Sequence, residues 1–182
     1  MSDGQRAWLG LGSNLGDRAA LIAEAVRRLD ALPGVGVTGR SALYRTPPWG
    51  DVDQGEFLNA ALAVRTTLSP HALLDAVLAI ETALGRVRAR RWGPRLIDID
   101  ILHYEGARFS DERLTLPHPE LMGRAFALAP LAEIAPDLAI GGVTVSAALA
   151  GLDGSGIARL SEEPAGPAGP TAGSPRDDRR PS

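Results

Sequence analysis

Residues 57–70 read Phe-Leu-Asn-Ala-Ala-Leu-Ala-Val-Arg-Thr-Thr-Leu-Ser-Pro, and the fold turns on how they divide. Leu58, Ala60, Leu62 and Val64 fall on one side of an extended chain while Phe57 and Asn59 begin the other, the two-residue period of a strand. Ser69-Pro70 then supplies an N-cap followed by the residue preferred at the first helical position. Leu73, Leu74, Val77, Leu78, Ile80 and Leu84 continue at helical spacing until Gly85 closes the helix.

Upstream, Ala7, Leu9 and Leu11 alternate with Trp8, Gly10 and Gly12, a strand pattern that ends in the loop Gly12-Ser13-Asn14-Leu15-Gly16. Asp17 is positioned to cap a helix in which Leu21, Ile22, Ala25, Val26 and Leu29 share a face, and Pro33-Gly34 ends it. One strand is expected from about Val35 to Tyr44, then a long polar loop up to Phe57. Downstream, Leu96 to His103 reads as a further strand. The order β-α-β-β-α-β predicts an α+β domain of the ferredoxin-like kind, one antiparallel sheet with both helices on one face. Ile97, Ile99, Leu58 and Leu62 then lie under the helices, and Asp98, Asp100, Phe57 and Asn59 share a second face left open for ligand. Additional C-terminal elements follow: a rigid Pro117-His118-Pro119 loop, a mainly helical stretch from Glu120 to Ala135 broken at Pro130, and a short strand and helix between Val143 and Leu152.

At 182 residues, 45% of them hydrophobic, the chain fits a single domain with a proper core. A formal net charge of -3 removes any general attraction to nucleic acid, and the absence of cysteine rules out disulfides and thiolate metal sites. Any metal has to sit on oxygen or imidazole. The N-terminus lacks the basic and apolar regions of a signal peptide, and no apolar run reaches membrane-spanning length, so a cytoplasmic protein is expected. Residues 161–182 contain no Leu, Ile, Val or aromatic residue. They are expected to form a disordered tail behind a domain at 1–160, because nothing in them repays the cost of ordering.

Between Gly85 and Asp100 the chain places five arginines just ahead of Asp98-Ile99-Asp100. In a strand, residues i and i+2 point the same way about 7 Å apart, so the two carboxylates converge while the isoleucines face away. Hard oxygen ligands in that number suit Mg²⁺, which fills its remaining positions with water and substrate phosphates. Guanidinium groups suit the phosphates themselves. Either half alone is weak, since paired acids and arginine runs are common on surfaces. Together, with Trp92, Gly93 and Pro94 shaping the turn between them, they point to a metal and polyphosphate site.

Several motifs then carry a family resemblance. They are Leu11-Gly12-Ser13-Asn14, Tyr44-Arg45-Thr46-Pro47-Pro48-Trp49-Gly50, Phe57-Leu58-Asn59-Ala60, Gly85-Arg86-Val87-Arg88, Arg91-Trp92-Gly93-Pro94-Arg95, Asp98-Ile99-Asp100-Ile101 and Arg113-Leu114-Thr115-Leu116-Pro117-His118-Pro119. From Leu9 to about Leu138 the chain resembles the 6-hydroxymethyl-7,8-dihydropterin pyrophosphokinases, which transfer pyrophosphate from ATP to the hydroxymethyl group of a reduced pterin in folate biosynthesis, releasing AMP. The resemblance implies that Asp98 and Asp100 hold two Mg²⁺ ions. It implies that Arg86 and Arg95 stabilise the transferring group, and that Arg88, Arg91, Trp92, Ile101, Arg113, Thr115, His118 and Arg124 serve the nucleotide. Glu81 corresponds to a family acid that orients loop arginines or the nucleotide. The pterin is implied to lie between Phe57 and Phe126, its polar edge read by Asn59 and the Thr46, Pro47 and Pro48 backbone, with Trp49 on a closing loop. The partners are then the two small-molecule substrates alone, with no nucleic acid and no membrane, and the chain acts as a monomer. Phe57 stands where Tyr is also common in the family.

Two other classes compete. An RNA-binding module uses the same kind of sheet, but aromatic content is 4%, no run of alternating aromatics marks the strands, and two acids on the open face oppose a phosphate backbone. A nucleotidyltransferase built on Gly12-Ser13 and the aspartate pair would hold those motifs closer in sequence. The released product separates them: AMP for pyrophosphoryl transfer, pyrophosphate for nucleotidyl transfer, neither for a binding module.

Overall fold

The computed structural model describes residues 4–48, 53–85 and 96–161. In chain order the elements are β1 (Gln5–Ser13), α1 (Arg18–Asp30), β2 (Val35–Arg40), β3 (Tyr44–Thr46), β4 (Phe57–Thr66), α2 (Pro70–Ala83), β5 (Asp98–Tyr104), β6 (Phe109–Ser110), β7 (Thr115–Leu116), a 3₁₀ turn (Leu121–Gly123), α3 (Ala125–Ile134), β8 (Ala139–Ile140), β9 (Val143–Thr144), α4 (Val145–Ala150) and β10 (Ala158–Arg159). The main sheet is antiparallel and runs β10-β3-β4-β1-β5, with β2 also paired to β4.

Alternation decides the faces. Ala7, Leu9 and Leu11 of β1, Leu58, Ala60, Leu62 and Val64 of β4, and Ile97, Ile99 and Ile101 at β5 bury one face. Against them lie Ile22, Ala25 and Leu29 of α1 and Leu73, Val77 and Ile80 of α2. Both helices start where the sequence places caps: Asp17 accepts the amide of Ala20 at 3.1 Å, and the Ser69 hydroxyl accepts that of Ala72 at 3.2 Å. Each such cap is worth about 1 kcal/mol.

Three expectations need correction. The single strand from Val35 to Tyr44 is two strands, each pairing with a different half of β4. Ser41 lies at the break, where its amide donates to the carbonyl of Ala61 at 2.9 Å and its hydroxyl accepts the Ala61 amide at 2.8 Å. A side-chain oxygen thus takes a ladder position and lets the chain step out of register. Second, the face opposite α1 and α2 is not open along its length. Trp8, Ala61 and Leu102 form a second core with Leu121, Leu128, Leu131, Ile140 and Val145. Leu102 follows Asp98 and Asp100 onto this face by alternation, and a bulge, in which Trp8 pairs with His103 but Leu9 with Ile101, keeps His103 on the same side against Trp8 and returns Tyr104 to the helix-side core. Third, Pro130 lies inside α3 and does not break it. An internal proline costs roughly 3 kcal/mol. Full burial of Leu128 and Leu131 on either side of it returns about 1.5–3 kcal/mol each, which holds the helix together.

The sequence reading also passed over β10, which pairs with β3 and extends the sheet at its edge. The tail expected at 161–182 lies, beyond Ser161, outside the described residues. No helix among the described residues is long and apolar enough to cross a membrane.

Candidate active site

Where α3 and its core stop short of the sheet end, a cavity of about 400 Å³ remains. Its floor is the backbone of β1 at Gly10 and Gly12. On one side the register sets Asp98 beside Gly12 and Asp100 beside Gly10, and on the other it sets Asn59 beside Gly12. The two carboxylates therefore stand side by side along one edge of the floor, and Phe57 and Asn59 stand along the other. Thr46 and Pro47 close the β3 end, while His118, Glu120, Arg124 and Phe126 close the α3 side.

The glycines of the floor are a matter of space. A Cβ on Gly12 would stand 2.8 Å from the Asn59 Oδ1, and one on Gly10 would stand 3.3 Å from the Leu102 side chain. Asn59 is buried and its Nδ2 donates to the Thr46 hydroxyl at 2.7 Å. That bond fixes the amide plane, so the side chain presents a defined donor and acceptor to the cavity.

Arg124 is buried, pairs with Glu120 and lies 5.7 Å above the Phe126 ring. A guanidinium over an aromatic face is attracted by the ring quadrupole, which fixes both groups in the wall. Next to it, burial and, after it, the Arg124 charge push the His118 imidazole below its usual 6.5, against the opposite pull of Asp98. His118 is thus neutral near pH 7. Its Nδ1 accepts the amide of Glu120 at 3.3 Å, which leaves the proton on Nε2.

A pH dependence of stability follows. His103 is also pushed below 6.5, chiefly by burial. A histidine held low in the folded state takes up its proton first in the unfolded state, so its contribution is complete above pH 6.5 and is lost as pH falls from there toward the folded-state value. Thermal midpoints should fall between pH 7 and pH 5, before most carboxylates titrate. The double variant His103→Gln, His118→Gln should show a flatter profile; an unchanged slope would mean other groups carry it.

Of the residues singled out from sequence, Asp98, Asp100, Thr46, Pro47, Phe57, Asn59, His118, Arg124 and Phe126 meet in this one cavity. Others lie elsewhere. Glu81 is 1% exposed on the helix side of the sheet and accepts the Ile99 amide at 2.7 Å, so its side chain braces the peptide between the two aspartates. Ile101 packs its side chain under the helices, which leaves only its backbone for a ligand. Arg113 pairs with Asp75, and Thr115 Oγ1 lies 2.9 Å from the Ser110 hydroxyl; neither lines the cavity, and nor does Pro48. Arg86, Arg88, Arg91, Trp92, Arg95 and Trp49 lie outside the described residues. Sequence reading missed the role of Gly10 and Gly12, although two glycines alternating with leucines in a strand are a mark of close approach from above. It also missed that Thr46 acts through Asn59.

The donor chemistry fits a hard cation. Among the described residues no group of three or more His, Cys, Asp or Glu side chains gathers, so Asp98 and Asp100 form a two-carboxylate set. Such a set suits Mg²⁺, which keeps its other positions for water and phosphate oxygens, and it does not suit a fully enclosing cation cage.

An antiparallel sheet that ends in paired carboxylates beside an aromatic, amide-edged slot has the build of a small-molecule phosphotransfer enzyme. The family described as 7,8-dihydro-6-hydroxymethylpterin-pyrophosphokinase (HPPK) matches residues 8–136, and this chain belongs to it. A 2-amino-4-hydroxy-6-hydroxymethyldihydropteridine pyrophosphokinase of Methylorubrum extorquens is 67% identical over 155 residues, covering 85% of this chain and 98% of its own. The enzyme of the same name from Bacillus subtilis is 46% identical over 128 residues, 70% of this chain and 77% of its own. Among solved structures, wild-type Plasmodium falciparum HPPK-DHPS with pteroate superposes with a TM-score of 0.63 at 18% identity. It matches 80% of this chain, which spans 42% of that longer one, and the likeness is one of fold.

Proposed function

We infer that the protein transfers pyrophosphate from ATP to the hydroxymethyl group of 6-hydroxymethyl-7,8-dihydropterin, with release of AMP, at the cavity between β1, β4, β5 and α3. Family membership supports the reaction. The observation that carries the placement is that a single cavity joins Asp98 and Asp100 to the slot bounded by Phe57, Asn59 and Phe126.

The pterin ring lies between Phe57 and Phe126, where a flat polar heterocycle gains from stacking on aromatic faces. Asn59, held by Thr46, pairs with the ring's donor and acceptor edge, and a wrong ring leaves those buried groups unpaired. Asp98 and Asp100 hold Mg²⁺, two ions in this reading, which when bound neutralises charge on the phosphate oxygens. The neutral His118 offers its Nε2–H, and Arg124 its charge, to the nucleotide at the same wall. Arg88, Arg91, Trp92, Arg113, Thr115 and the Ile101 backbone complete the nucleotide side. Arg86 and Arg95 meet the transferring group, where charge spreads over oxygen and positioning does most of the work. Glu81 acts from beneath, through the Ile99 peptide.

The sheet order, with β2 and β3 taken as one broken strand, is read as ferredoxin-like. The domain is assigned to 1–160, with 161–182 as a tail, in a cytoplasmic monomer. The test is product analysis: purified protein with Mg²⁺, ATP and the dihydropterin alcohol should form AMP and a diphosphorylated pterin, and EDTA should stop both. Release of pyrophosphate in place of AMP would mean nucleotidyl transfer and overturn the reading.

A further inference from the structure

We propose that Glu133, on the face of α3 that bears Phe126 and Pro130 but nearer the helix's C-terminal end and outside the cavity lining, is a positioning residue that sets the width of the pterin slot by clasping α3 to the β3 edge of the sheet. The inference rests on the reading that Phe126 and Thr46-Pro47 are opposite walls of that slot.

Glu133 lies near the C-terminal end of α3 and receives hydrogen bonds from three separate segments. Its Oε1 accepts the Ala42 amide at 3.1 Å, from the step between β2 and β3. Its Oε2 accepts the Tyr44 hydroxyl at 2.6 Å, from β3 itself. Arg159 of β10 donates to both oxygens, from Nε at 3.1 Å and Nη2 at 3.1 Å. Arg159 is also the register partner of Tyr44, so the clasp closes on paired residues of neighbouring strands.

What these segments carry gives the clasp its meaning. α3 bears Phe126, Ala127 and Pro130 on its cavity side, and β3 runs directly into Thr46 and Pro47. The turn before β10 backs the same wall, since a Cβ on Gly156 would stand 3.3 Å from Pro47. β3 has only three residues and is separated from β2 by the Ser41 step. Such a short strand has little ladder of its own to fix its distance from a helix on the other layer.

Burial pushes the Tyr44 phenol up to about 12, with the Glu133 hydrogen bond adding to it. The Arg159 hydrogen bond holds the Glu133 carboxyl down at about 2. Tyr44 and the Ala42 amide pull the same way, and burial opposes them. The carboxylate therefore stays charged, and its hydrogen bonds stay charge-assisted, across the working range of an enzyme.

The test is a steady-state split on Glu133→Gln, Tyr44→Phe and Arg159→Ala, with Phe126→Ala as reference. Loss of one charge-assisted bond at a wall should raise KM for the pterin about tenfold in Glu133→Gln, and less in Tyr44→Phe. KM for ATP should be unchanged. Tyr44→Phe keeps ring packing and the Arg159 pair, so it reports on the clasp even if Glu133→Gln folds poorly. If Phe126→Ala raises the pterin KM while none of the three clasp variants does, the clasp proposal is wrong and the slot stands. If Phe126→Ala also leaves it unchanged, the slot reading itself fails. Equal rises in both Michaelis constants would mark Glu133 as general scaffolding and overturn the positioning role.

Discussion

Asp98→Asn and Asp100→Asn should each lower kcat on the order of 10³-fold or more while leaving the circular dichroism spectrum unchanged. The scale is that of losing a main electrostatic contact to charge that develops in the reaction, on the order of 10²–10³ for a single neutral donor and larger for a ligand of a divalent cation. Both residues alternate with isoleucines that fill the helix-side core, and neither belongs to that core, so the amide replaces a carboxylate without opening a void. The two variants also test each other. If the pair holds one cluster of metal, each single change should cost nearly as much as the double one, because residues acting as a unit are not additive. Near-normal turnover in either variant would remove the carboxylates from the metal site. Tenfold more Mg²⁺ should fail to restore kcat, whereas recovery would reduce the role to affinity.

Gly12→Ala should raise KM for the pterin roughly 10- to 100-fold, the cost of leaving one or two buried polar groups unpaired. The added methyl would stand 2.8 Å from the Asn59 Oδ1, so the amide has to turn away, and its bond to Thr46 goes with it. Backbone strain is not the cause, because Gly12 does not adopt the left-handed region. Gly36→Ala is the control: it also changes a strand glycine, and nothing stands within 4 Å of its Cβ position. Fluorescence titration of the pterin into both variants checks the difference. Equal affinities would mean that Asn59 does not read the ring.

The parts legible from sequence were those governed by local rules. Alternation in residues 7–12 and 57–64 gave the correct faces, and Asp17 and Ser69 cap the helices where their side chains predicted. Asp98 and Asp100 share a face because a strand repeats every two residues, which needs no tertiary information. What was not legible depends on partners far along the chain. His103 reads by alternation as a helix-side residue until the bulge opposite Trp8 brings it to the far face beside that ring. Pro130 reads as a breaker because propensity knows nothing of the burial of Leu128 and Leu131. A two-residue strand such as β10 carries no period at all; its existence depends on the exposed edge of β3. The bond from the Ile99 amide to Glu81 is of the same kind, since it joins a helix and a strand that no local pattern relates.

The strand order has a consequence for when the site comes into being during synthesis. The floor is laid down first, in β1, yet β1 lies between β4 and β5, and its Leu9 pairs with Leu62 and Ile101, 53 and 92 residues further along the chain. Pairing at such separations is slow, because loop closure precedes any gain from contact. The back of the Pro47 wall comes later still, with Gly156 and β10. A ribosome that has already translated both aspartates and both slot phenylalanines has thus not yet supplied the residues that close the edge. Competence to bind is in this sense a property of the finished domain: the first strand made waits for the fourth and fifth to cover its edges, and the wall at Pro47 waits for the tenth.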